Sequence, residues 1–147
     1  MNSPRLSSEA VHASTVALDG RAVLITGPSG SGKSDLTLRL LDRGFTLVSD
    51  DQTLVRREDD WLIASAPPNI AGKLEIRGIG IVELDHAGDM PVALLVELTS
   101  DIQRMPDDSR ERPILGVALP LINIDAMAAS APSKVAWALD RMGLKLQ

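Results

Sequence analysis

The sequence predicts a single α/β domain built on a strand-rich, mixed sheet. An apolar run, Val23–Ile25, leads through Gly27-Pro28-Ser29-Gly30-Ser31-Gly32-Lys33-Ser34 into Asp35–Leu41, a leucine-rich segment without Gly or Pro. That is strand, loop and helix in succession. Elsewhere strand signals dominate, and only one further segment reads as a helix, unlike the regular strand–helix alternation of a parallel phosphate-loop sheet. The chain has 147 residues, 44% hydrophobic and 24% charged, which suits one compact core and is too short for two.

Taken in order, residues 1–10 are polar and are expected to be a flexible N-terminus, with the domain running over 11–147. Val11–Leu18 reads as a strand, and Asp19-Gly20 is a two-residue hairpin signal that pairs it antiparallel with strand 21–26. The helix after the loop should run to about Asp42 and stop at Arg43-Gly44. Phe45–Ser49 is a strand ending at Asp50-Asp51; Thr53–Arg56 and Trp61–Ala64 form a hairpin turning at Glu58-Asp59-Asp60. Leu74–Val82 alternates and passes through Gly78 and Gly80, which predicts one bent strand. Val92–Leu98 is the most apolar run and should be central. Residues 99–112 read as an exposed loop, and Ile114–Val117 and Leu121–Ile124 as short strands divided by Pro120. From Pro132 to Gly143 a last helix places Val135, Ala136, Leu139 and Met142 on one face.

The loop Gly27–Ser34 fits G-x-x-x-x-G-K-[ST] at every fixed position. Its glycines let successive backbone N–H groups turn inward toward a phosphate, and the opening helix adds its positive end. Lys33 can reach the β- and γ-phosphates, and the Ser34 hydroxyl can ligate magnesium. ATP and magnesium are therefore the expected ligands. A Gly/Ser-rich turn matching by chance would lack the strand before and the helix after.

Asp50-Asp51 closes the strand that follows this helix, and ligands in open α/β sheets sit beyond the carboxyl ends of strands. A carboxylate there can hold magnesium or take a proton from an attacking hydroxyl, although an acidic turn gives the same pattern. His12, on the hairpin partner of the loop strand, could project over the nucleotide; a surface histidine is the commoner meaning. Glu75 and Arg77 share a face at period two and suit magnesium and phosphate respectively, or simply each other. Arg104, in Gln103-Arg104-Met105, is a candidate charge-stabilising arginine on a loop.

Bulk properties narrow the partners. A net charge of −5 and only 2% aromatic residues argue against nucleic acid. No cysteine is present, which excludes disulfides, thiolate metal sites and cysteine nucleophiles. There is no stretch of about 20 apolar residues to span a bilayer and no signal pattern, so the cytoplasm is the expected compartment.

Together, His12, the loop Gly27–Ser34, Leu47-Val48-Ser49-Asp50-Asp51 and Leu74-Glu75-Ile76-Arg77-Gly78-Ile79-Gly80-Ile81 follow the order seen in HPr kinase/phosphorylase, and the chain resembles the catalytic domain of that family. It resembles the short proteobacterial form. The resemblance implies a phosphate-loop fold related to phosphoenolpyruvate carboxykinase, and ATP-dependent phosphorylation of a serine on the phosphocarrier protein HPr, in control of carbon metabolism. It implies Asp51 as proton acceptor beside Asp50, Lys33 on the transferred phosphoryl group, Ser34 and Glu75 on magnesium, and His12, Arg77 and Arg104 in support. It also implies a homo-oligomer. Where the family has a basic loop linked to the reverse, phosphorylase reaction, this chain has Ile124–Ala129 without arginine, so the kinase direction is the inheritance expected. The alternative is a catalytically weak nucleotide-sensing module that signals by binding a partner.

Overall fold

The computed structural model describes residues 8–101 and 110–145. Chain order within them is β1 (Ser8–Val11), β2 (Ala13–Leu18), β3 (Arg21–Thr26), α1 (Lys33–Leu41), β4 (Thr46–Ser49), β5 (Thr53–Glu58), β6 (Trp61–Ser65), β7 (Lys73–Ile76), β8 (Gly80–Glu83), β9 (Met90–Leu98), β10 (Glu111–Ile114), β11 (Val117–Ile124) and α2 (Ala131–Met142). Nine strands form one mixed sheet, in the order β1-β5-β6-β9-β3-β2-β4, with β11 joined to β9 and β10 to β11. The expected strand-rich α/β architecture is what the chain adopts.

β9 is the axis of the sheet. It runs parallel to β3, with Thr26 opposite Glu97, and parallel to β11, with Ile124 opposite Leu98. Its first residues pair antiparallel with β6. Buried on both faces, Val92–Val96 is a continuous apolar run, as a central parallel strand requires. One face packs Val23, Ile25, Leu94 and Val96 against Leu36 and Leu40 of α1 and Val135 and Leu139 of α2. The other packs Leu24, Val92 and Leu95 against Leu62, Leu119 and Leu121. Each such leucine, fully buried, contributes about 1.5–3 kcal/mol of transfer free energy.

Five expectations need correction. The strand expected over Val11–Leu18 is broken at His12, and its first part begins at Ser8, inside the stretch expected to be flexible. Ser8–Val11 bonds antiparallel to Thr53–Arg56, so backbone pairing overrides a polar composition. Leu74–Val82 is not one bent strand but the two-stranded hairpin β7–β8, a separate small sheet. Gly78 and Gly80 adopt φ of 87° and 116° there, and Ile79 N–H closes the turn on Ile76 O at 2.9 Å. Pro120 does not divide two strands: β11 continues through it, because that is where the partner changes from β10 to β9. The loop expected to reach residue 112 gives way to β10 at Glu111. Last, Met142 is 49% exposed rather than part of the buried face of α2.

Candidate active site

The phosphate-loop residues lie at the carboxyl end of β3. Ser31 N–H donates to Pro28 O at 3.0 Å, which doubles the chain back on itself, and α1 opens directly at Lys33. Glycine is required at both ends of the curl. A Cβ on Gly27 would stand 2.7 Å from Ser31 Oγ, and Gly32, at φ 100°, would put one 3.0 Å from Ala126 Cβ. Lys33 is 6% exposed and arches back, its ammonium donating to Gly27 O at 2.8 Å and Pro28 O at 3.2 Å.

These residues fit the phosphates of a nucleotide. The Ser31 hydroxyl is buried without a protein partner, and Gly32 leaves the amides at the start of α1 without a capping side chain. An ammonium already held at the loop mouth completes an anion cradle.

The acidic pair closes the site from β4. Asp50, only 8% exposed, accepts hydrogen bonds from Ser34 Oγ at 2.8 Å and Ser14 Oγ at 3.0 Å through Oδ1, and from Glu75 N–H at 3.4 Å through Oδ2. Asp51 faces outward. Its Oδ1 lies 2.8 Å from His12 Nε2, and its side chain is 66% exposed. Gln52 N–H donates to Asp50 O at 2.7 Å across Asp51, whose φ is 67°. That is a γ-turn with a left-handed, non-glycine centre, a costly conformation of the kind concentrated at functional sites.

The structure thus gathers His12, Lys33, Ser34, Asp50 and Asp51 at one edge, together with the Glu75 backbone. Glu75 and Arg77 do not form an ion pair among the described residues; Glu75, the third residue of β7, has an exposed side chain, and Arg77 begins the turn that follows the strand. Arg104 lies outside the described residues. No three His, Asp or Glu side chains converge as a metal cage among the described residues. Magnesium in phosphoryl transfer commonly takes one or two carboxylates and completes its shell from phosphates, so a loop hydroxyl with one carboxylate beside it is sufficient.

Two features escaped the sequence. Ser14, fully buried in β2, donates to Asp50 and accepts Asp51 N–H at 3.1 Å, so one hydroxyl registers both carboxylates. A lone serine in a strand carries no signal of this. On the sheet face opposite α1, Glu97 accepts from Arg112 Nη2 at 2.9 Å and from Asn123 Nδ2 at 3.1 Å, and Asn123 in turn accepts from Arg110. The Arg112 hydrogen bond holds the Glu97 carboxyl below its usual range, against the upward pull of burial. Its place beside Thr26 depends on the β3–β9 register, which no local pattern reveals.

The strand–loop–helix unit carrying this motif, with an acidic pair beside it, is the arrangement of a phosphate-loop protein. The family described as "HPr Serine kinase C-terminal domain" matches residues 5–139, and the chain belongs to that family. It is 36% identical over 127 residues to the HPr kinase/phosphorylase of Chlorobium limicola, covering 77% of this chain and 38% of that protein. With HPr kinase/phosphorylase 1 of Oceanobacillus iheyensis it shares 50% over 112 residues, 74% of this chain and 36% of the other. The chain spans about two fifths of the curated relatives it matches. Among solved structures, the HPr(Ser) kinase/phosphatase of Coxiella burnetii superposes with a TM-score of 0.78 at 31% identity, covering 90% of this chain and 94% of that one.

Proposed function

We propose that this chain is the catalytic domain of an ATP-dependent protein kinase that phosphorylates a serine of an HPr-type phosphocarrier protein. The observation that carries the proposal is the Asp50 carboxylate, bonded to the loop hydroxyl of Ser34 at 2.8 Å with Asp51 outward beside it. Gly27–Ser34 would bind the phosphates of ATP. Ser34 and Glu75 would hold magnesium, with Asp50 fixing both, and the ion supplies charge neutralisation at the phosphate oxygens. Asp51, exposed to an incoming protein, takes the proton of the attacking serine hydroxyl, while His12 holds its carboxylate in orientation. Lys33 and Arg77 offset charge on the transferring group, with Arg104 in the same role.

The relatives named HPr kinase/phosphorylase support this substrate, and kinship of the fold with phosphoenolpyruvate carboxykinase, control of carbon metabolism, a cytoplasmic setting and a homo-oligomeric state belong to the same proposal. No helix of the described residues is long and apolar enough to cross a membrane. The test is transfer of labelled γ-phosphate from ATP, with magnesium, to HPr. Label on wild-type HPr and none on HPr lacking the acceptor serine is the expected result. ATP binding without transfer to HPr would favour the nucleotide-sensing alternative instead.

A further inference from the structure

We propose that the loop between β11 and α2 is the nucleobase platform, with Met127 packing against the purine ring of ATP; this rests on the nucleotide reading above. The site has two sides. Asp50, Asp51 and His12 occupy the side of the loop strand formed by β2 and β4, where phosphoryl transfer would take place. In the proposed arrangement the nucleoside lies on the other side, over β9 and β11. What stands there is the 125–130 loop, whose Ala126 Cβ lies 3.0 Å from the position a side chain on Gly32 would take.

That loop is built with unusual firmness around one exposed apolar side chain. Arg39 of α1 donates to Ala126 O and, at 3.3 Å, to Ala128 O, and is itself held by Asp35 at 3.1 Å. The Asp125 carboxylate accepts Met127 N–H at 2.9 Å, and Ala128 N–H donates to Asp125 O at 3.1 Å. The residues on either side of Met127 are thus pinned, while Met127 is 87% exposed, the most exposed large hydrophobic residue among the described residues. A single surface methionine is ordinary; one whose backbone is fixed from both sides, beside a phosphate loop, is a pre-set contact.

A methionine also suits the task here. The chain has only Trp61, Trp137, Phe45 and no tyrosine to offer as a stacking ring. Phe45 is 4% exposed in the core, and Trp137 on α2 is covered by Arg141, whose Cζ lies 5.0 Å from the indole ring centroid. A thioether is polarizable, and sulfur–aromatic contact is favourable.

The experiment compares magnesium-ATP with magnesium and inorganic triphosphate by titration calorimetry, on wild type, Met127→Ala and Met127→Leu. Met127→Ala should weaken ATP about fivefold to tenfold and change triphosphate less than about twofold, while Met127→Leu should restore most of the difference. An unchanged ATP affinity, or equal losses for both ligands, would overturn the nucleobase contact alone. Failure of wild type to bind either ligand would instead remove the nucleotide reading and this inference with it.

Discussion

Asp50 and Asp51 are neighbours in sequence and opposites in surroundings. The first is 8% exposed and held by two hydroxyls and an amide; the second has a 66% exposed side chain, held by one histidine. A carboxylate whose lone pairs are already engaged suits organising a site and orienting an ion's ligands. One that is accessible, lightly held and fixed in a γ-turn suits meeting a substrate proton. The same residue type serves two roles because the chain turns sharply between them.

Substitutions can break that division. Asp51→Asn should lower phosphoryl transfer by about 10²–10⁴ while leaving the melting temperature and ATP affinity near wild type. Activity close to wild type would reassign the base. Asp50→Ala should act the other way round, costing about 1–3 kcal/mol of stability by stranding the buried Ser14 hydroxyl, and weakening magnesium-dependent ATP binding. Denaturant titration and calorimetry would check both effects. Ser14→Ala tests the link between the two, since its hydroxyl touches both residues. It should cost about 1 kcal/mol of stability, with a smaller loss of rate than Asp51→Asn.

Glu97 sharpens the comparison as a third carboxylate, held by an arginine and an asparagine. Its pKa in the folded protein lies below the ordinary value of 4.5, chiefly through Arg112. The group therefore contributes stability above about pH 4.5, and that contribution is lost as pH falls through the folded pKa. Glu97→Gln should be slightly less stable than wild type at pH 7, and the gap should close on acidification. A gap constant with pH would refute the ion-pair origin of the shift.

The phosphate loop was legible because phosphate chemistry fixes residue type at Gly27, Gly32, Lys33 and Ser34, and its strand and helix follow from apolar pattern. The Asp50-Asp51 pair was legible as a strand terminus beside that loop. What could not be read locally were contacts that depend on long-range register. His12 meets Asp51 across 39 residues of sequence, and Glu97 meets Thr26 only through the β3–β9 pairing. The β7–β8 hairpin was missed for another reason. Leu74 to Val82 keeps strand alternation on both sides of its turn, and the two glycines fit either a bend or a reversal.

The position of β3 has a consequence for synthesis on the ribosome. Its two sheet neighbours are β2, already made, and β9, which ends only at Leu98. A nascent chain carrying the entire loop motif therefore still lacks one of the two sheet neighbours of its loop strand, and helix α1 lacks β4, β7 and α2, against which it also packs. Non-local pairing of this kind forms slowly. The anion cradle is thus among the last parts to be completed, although its residues emerge among the first.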